Sequence, residues 1–334
     1  MKHAAVILLS SLACLLWNPQ AGASSGITPF HTSNRSPVVQ VFGLPAVGDS
    51  RILKDGDREA TLVLDVANHF VDGSAGHEHL VLDGETYRLN LAGRMGIGNR
   101  LEIGFELPWL FQNGGILDGF IEAYHRTFGF RQRGRDEAPT GRYLFQYARG
   151  GADAFLVDRS NSGIGDVRLT GGLRLYDDRE HLSALALRAS LKLPTGDSGN
   201  LRGSGSTDLA LWLAASQGWK TGIGPWELFG GAGLLGMTDG DVLTEQQRNL
   251  VAFGSAGAGW RPLQWLTLKV QLDGHTSFYR DSDLSELGSD SVQAVMGGTL
   301  HFSERTALDI GVAEDVIIKT SPDVVFHFAL RHRF

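Results

Sequence analysis

The sequence predicts an all-β fold, a transmembrane barrel of about twelve antiparallel strands with an N-terminal arm and one helix-containing external loop. Three observations predict it. An export signal is followed by no helical membrane span, long segments alternate apolar and polar residues with period two, and the connections between them alternate short and long. Composition agrees: 334 residues, 42% apolar and 20% charged, exclude a disordered chain. A formal charge of -7 lacks the basic footprint of a nucleic-acid binder, so no nucleic-acid partner is expected. The 44 glycines are about twice the usual share, without collagen's period of three.

The first element is the signal. Met1-Lys2-His3 is a short basic start, Ala4 to Trp17 is apolar, and Asn18-Pro19-Gln20 breaks the run before the small-x-small site Ala21-Gly22-Ala23. Residues 1–23 therefore read as a signal peptide cleaved after Ala23. A lipoprotein site at Cys14 is the weaker alternative, because the apolar run continues past it. With cleavage at Ala23 the only cysteine leaves, which excludes disulfides, thiolate metal sites and Cys nucleophiles. No later stretch has the ~18 to 20 consecutive apolar residues of a spanning helix.

Residues 24–59 form an arm rich in Pro and Gly, with fixed turns suggested by Pro29-Phe30, Asn34-Arg35-Ser36-Pro37 and Gly43-Leu44-Pro45. Two placements are open for it, a plug in the lumen or a periplasmic tether. The barrel, 60–334, follows as twelve strands: 60–71, 85–96, 99–109, 163–176, 180–193, 206–217, 224–237, 249–260, 264–279, 290–301, 304–315 and 322–334. Leu266, Leu268, Val270 and Leu272 share one face of their strand, and Thr267, Lys269, Gln271 and Asp273 the other. Every second connection is short, such as Ile97-Gly98, while the intervening ones, including that between the first two strands, are mostly longer. This fits short periplasmic turns and long external loops. A soluble β-sandwich also alternates, but has no reason to place Trp pairs at one end.

Those aromatics are Trp219 with Trp226 and Trp260 with Trp265, joined by Tyr176, Phe302 and Phe334, and they read as the inner girdle. Phe278, Tyr279 and Trp109 are assigned to the outer one. In the last strand Val324, Phe326, Phe328, Leu330 and Phe334 share a face, and terminal Phe334 looks like the assembly signal read by the barrel-assembly machinery of bacterial outer membranes.

The connection 110–162 is too long to be a plain loop. Phe120, Ile121, Tyr124, His125 and Phe128 recur at helical spacing, with Glu122 and Arg126 placed for an i,i+4 pair. An amphipathic helix is expected, either a gate folded into the mouth or a lid whose arginines contact lipopolysaccharide. The gate is preferred, because an apolar helical face needs a protein surface to cover it.

At these residues a resemblance emerges. The arm motifs, together with Leu117-Asp118-Gly119-Phe120-Ile121-Glu122, His125 and Phe128-Gly129, resemble a family of bacterial outer-membrane proteins of unknown function. The runs Gly163-Ile164-Gly165-Asp166, Lys192-Leu193-Pro194-Thr195-Gly196-Asp197 and Gly203-Ser204-Gly205 are similar to the barrel family named for the meta-pathway of phenol degradation. That resemblance implies an outer-membrane channel for aromatic compounds, and no catalytic residue carries over from either family.

Lipid penalises charge, so the polar faces should line the lumen. The candidate solute path is Arg88, Arg94, Glu102, Glu106, Arg168, Arg174, Arg188, Lys192, Lys269, Asp273, His275 and Arg331, whose excess of cations favours anionic solutes. Gly231-Ala232-Gly233-Leu234-Leu235-Gly236 matches a nucleotide-binding pattern, but lies in a strand with no following helix. His77-Glu78-His79 lacks a third ligand at sensible spacing, so no metal is expected. No nucleophile elbow occurs, and neither an enzyme nor a cofactor is expected. The resulting expectation is a passive outer-membrane channel for small polar or aromatic solutes, whose other partners are membrane lipids and lipopolysaccharide. The alternatives are a non-conducting structural or interaction barrel and, less favoured, a lipid-modifying enzyme.

Overall fold

In a computed structural model, residues 26–115, 141–178, 180–316 and 321–334 are described. The expected helix of Phe120, Ile121, Tyr124, His125 and Phe128 lies outside them, as does the signal segment. The chain opens with β1 (Arg58–Ala75), β2 (Glu78–Ile97) and β3 (Leu101–Asn113). Three short strands follow, β4 (Leu144–Arg149), β5 (Ala152–Val157) and β6 (Asn161–Ile164). Then come β7 (Arg168–Asp178), β8 (Ser183–Lys192), β9 (Asp208–Thr221) and β10 (Gly224–Met237). The last five are β11 (Leu250–Leu263), β12 (Leu266–His275), β13 (Ser291–His301), β14 (Thr306–Asp315) and β15 (Val324–Arg333).

Twelve of these make a closed antiparallel wall, each pairing with its neighbour in the order β1, β2, β3, β7 and onward to β15. Closure is made by β1 against β15, from Glu59↔Arg333 to Asn68↔Val324. Closing the ring pairs the backbone groups that an open edge would leave bare in lipid.

The pleat sorts side chains as a membrane requires. On β3, Leu101, Ile103, Phe105, Leu107, Trp109 and Phe111 point outward and are 41–50% exposed, while Glu102 and Glu106 are 4% and 8% exposed. A soluble protein would show the reverse, so apolar-out alternation identifies a lipid-facing wall. At the short-turn end, Trp219 and Trp226 are register partners, and Trp226 stacks on Trp260 with centroids 5.3 Å apart. Phe334 is exposed there, its amide bonded to the Arg58 carbonyl at 2.9 Å.

Three expectations are corrected. The connection between the first two strands is short, because β1 and β2 run past the wall as a ribbon turning at Gly76-His77. The region 110–162 is also partly strand: β4 pairs with the outer part of β2, β5 with β4, and β6 with the outer end of β3. Phe278 and Tyr279 are not girdle residues. The strand ends at His275, and both rings turn into the barrel mouth, each 1% exposed.

Residues 26–53 run through the barrel interior. The arm enters at the short-turn end, where the Ile27 amide donates to Glu227 at 2.7 Å and Arg261 donates to the Gly26 carbonyl at 3.2 Å. It climbs past Gln271, which accepts from the Phe30 amide at 2.8 Å, and turns over at 36–42, closed by the Gln40 amide on the Ser36 carbonyl at 2.8 Å. The returning limb is held by Gly43 N on Asp208 (2.6 Å), Trp212 Nε1 on the Val47 carbonyl (2.7 Å) and Arg174 on the Ile52 carbonyl (3.0 Å). Part of the glycine excess serves this approach. A Cβ on Gly96 would lie 2.0 Å from the Lys54 carbonyl oxygen, and one on Gly259 would lie 2.3 Å from Ile27 Cγ2.

Candidate functional site

The candidate solute-path residues are buried or half-buried, and almost every cation among them is already engaged. Arg94 pairs with Glu59 at 2.8 Å and with Glu102 at 3.3 Å, and Glu102 also takes Arg188 at 3.1 Å and the Leu53 amide at 3.0 Å. Glu106 lies 3.1 Å from His31 of the arm and 3.6 Å from Arg168. Arg168 also donates to the carbonyls of Phe42 and Leu44, at 3.1 and 3.2 Å. Arg174 donates to the arm as well, Arg331 reaches Thr28 Oγ1 at 2.8 Å, and Arg88 sits opposite Asp65 in the register. Lys269 lies 3.1 Å from both Asp309 and the Thr28 carbonyl, with its Nζ 4.0 Å above the Phe30 ring centroid. His275 Nε2 lies 3.0 Å from Asn34 Nδ2, and Asp273 accepts from Gln271 Nε2 at 2.9 Å. The lumen cations are thus spent on carboxylates and arm carbonyls rather than offered to a solute.

Sequence reasoning missed the arm's own latch. Arg35 Nε meets Asp65 at 2.7 Å, and Asp65 also holds His327 Nδ1 at 2.7 Å, all three side chains being buried. The motif Asn34-Arg35-Ser36-Pro37 drew attention to this stretch, but no local pattern names a partner 30 residues away.

The glycine-rich runs converge on one buried knot. Asp166 accepts from Lys192 Nζ at 2.6 Å, from the Gly196 amide at 2.7 Å and from the Ser204 amide at 3.3 Å. Lys192 Nζ also contacts Ser204 Oγ at 2.6 Å and Asp208 at 3.3 Å. These residues fix the 193–207 connection between β8 and β9 to the wall, a positioning role. The nucleotide-like run lies within β10, where its glycines let neighbouring strands and Val47 approach.

Polarity divides the interior. At the short-turn end a cavity of about 560 Å³ opens among Arg51, Asp57, Asp178 and Phe334. It shares Thr28, Asp49, Glu59 and Arg331 with a deeper cavity of about 110 Å³. Beyond lies an apolar cluster in which Val38, Val41, Phe42 and Leu44 of the arm meet Leu80, Phe145, Phe253 and Phe278. Phe42 stacks on Phe278 with centroids 4.9 Å apart, and Tyr279 Oη donates to the Val38 carbonyl at 2.7 Å.

Above this cluster, beyond the wall, Glu78 ties the cap together. Its carboxylate accepts from Tyr147 Oη, Gln246 Nε2 (3.1 Å), Ser282 Oγ (2.9 Å) and the Asp283 amide (2.7 Å). Burial alone would raise its pKa, but these donors together hold it below the ordinary glutamate value of 4.5.

Over residues 5–334 the chain matches the family described as Protein of unknown function (DUF3187), and it belongs to that family. No curated protein matches it. Among solved structures it is similar to the COG4313 outer membrane channel from Pseudomonas putida F1. The TM-score is 0.56 at 14% identity, covering 86% of this chain and 98% of that one. Looser likenesses include the NanC porin (TM-score 0.41, 9% identity, 81% and 98% covered). Another is the P. putida toluene transporter TodX (0.36, 11%, 93% and 94%).

Proposed function

We propose that this protein is a passive outer-membrane channel for small polar or aromatic solutes, and that the arm is its plug. The observation that carries the reading is the run of polar cavities inside a closed, lipid-facing barrel, reaching from the short-turn mouth to beneath the arm's apolar turn. A barrel serving only as a scaffold needs no solvent-sized interior. The resemblance of the whole barrel to a P. putida outer membrane channel supports the same reading. The apolar turn closes the outer end, so the arrangement described is the resting, shut one, and transport requires the segment 36–47 to move. Flux through proteoliposomes tests this. Benzoate and glycerol should enter vesicles carrying folded protein faster than empty ones, and a trisaccharide should not. Equal rates for all three solutes in loaded and empty vesicles, with an arm-loosened variant also inactive, would favour the non-conducting scaffold.

A further inference from the structure

One lumen cation stands outside the pairings described above. Arg88 alternates with Leu89 and Leu91, which face lipid at 38% and 43% exposed, so its own side chain points inward, where it is 4% exposed. Among the described residues no carboxylate lies within 4.0 Å of its guanidinium, and none of its side-chain nitrogens makes a hydrogen bond. The register explains why. Opposite Arg88 on β1 is Asp65, whose two oxygens are taken by Arg35 Nε and His327 Nδ1 at 2.7 Å each. Opposite it on β3 is Leu110, which is buried and apolar. Nearby Glu106 is divided among His31 (3.1 Å), Asn90 Nδ2 (3.4 Å) and Arg168 (3.6 Å).

The surroundings add positive charge. Arg35 and Arg168 lie near enough to repel Arg88, while Asp65 and Glu106 attract it, so three guanidiniums share two carboxylates. The carboxylates beyond them, Asp166 and Asp208, close on Lys192 at 2.6 and 3.3 Å. Arg168 also has a donor to spare. Its two terminal nitrogens serve the Leu44 and Phe42 carbonyls, and its Nε is buried with no acceptor. Arg88 lines neither the 110 Å³ cavity nor one of about 20 Å³ beneath the arm's turn, so the space beside it is of ion size rather than solute size.

A guanidinium does not shed its proton inside a protein, so burial cannot neutralise Arg88 as it can a carboxylic acid or a lysine. Water can accept from its five N–H donors, but leaves the buried charge without a counter-charge. We infer that Arg88 binds a single small monovalent anion, of the size and charge of chloride, between the wall and the arm. Arg88 makes the direct contact, and Arg35 and Arg168 supply the surrounding positive field. One added negative charge balances three guanidiniums against two carboxylates. Arg35 belongs to the rising limb of the arm and Arg168 holds the returning one, so the ion sits where both limbs meet the wall. The site stands whether or not the barrel conducts.

The test uses the mature protein refolded in detergent, in sodium chloride or sodium gluconate at matched ionic strength, gluconate being too large for the site. The change in unfolding midpoint from gluconate to chloride should be about 2–4 °C more positive in the wild type than in Arg88→Met. Arg100→Met, which removes an exposed cation, should behave as the wild type does. Both variants should fold normally by heat-modified migration. Wild-type crystals grown in bromide should give an anomalous peak against the Arg88 guanidinium, a readout that needs no variant. Equal salt responses in the wild type and Arg88→Met, or no bromide at Arg88, would overturn the assignment.

Discussion

Replacing Phe42 by alanine should loosen the arm's outer turn without dismantling the wall. The Phe42 ring is fully buried, stacked on Phe278 and tilted against Tyr279 at 5.9 Å. None of these three lies in a barrel strand. Truncating such a ring costs about 3–5 kcal/mol, and the loss falls on the contact between arm and cap. With about 1.4 kcal/mol for each factor of ten, even the lower figure raises the undocked population roughly a hundredfold. The mature chain expected from signal cleavage has no cysteine, so a single reporter thiol can read that population. Gln40 suits the purpose because its buried side-chain amide makes no hydrogen bond, and Gln40→Cys therefore sacrifices none. Maleimide labelling of Cys at this position, in barrels confirmed as folded, should accelerate about a hundredfold when Phe42→Ala is added. An unchanged labelling rate, with the whole barrel melting earlier instead, would refute the reasoning. It would mean that arm and wall are one cooperative unit.

Two further outcomes follow from the buried knot and the cap. Lys192→Met leaves Asp166 and Asp208 buried without their cation, which should lower stability by about 3–5 kcal/mol in urea titration of the folded band. Glu78 has its pKa lowered on folding, so its contribution is complete above the unfolded value of 4.5 and is lost as pH falls through the lower folded value. Protease cleavage in the 276–290 connection should therefore rise on acidification below that point, and Glu78→Gln should show the raised cleavage already at neutral pH.

The wall was legible in the sequence because lipid and lumen impose opposite demands on successive residues. The alternation of Leu266, Leu268, Val270 and Leu272 with Lys269, Gln271 and Asp273 follows directly from that. Legibility failed where both faces of a strand are covered. Leu80, Val81, Leu82 and Asp83 are all buried, so the outer part of β2 carries no alternation to read. Phe278 and Tyr279 sit just past the end of β12, where the pleat no longer says which way a ring turns. Alternation picks out the charged residues on the non-lipid faces of the strands, but it does not name their partners. Arg35 to Asp65 and Gly43 to Asp208 join residues far apart in the chain, through an arm that has no periodicity of its own. The expected preference for anions came from counting cations without knowing that Glu59, Glu102, Glu106 and the arm carbonyls hold them.

The central claim is that the arm's apolar turn shuts an otherwise passable barrel. Single-channel recording in planar bilayers tests it most directly, comparing the wild type with Phe42→Ala at the same insertion frequency. The expected result is a mostly silent wild type and a variant whose openings are roughly a hundred times more frequent, with unchanged unitary conductance. Steady wild-type current indifferent to the substitution would contradict the claim, as would silence from both proteins once folding and insertion are shown.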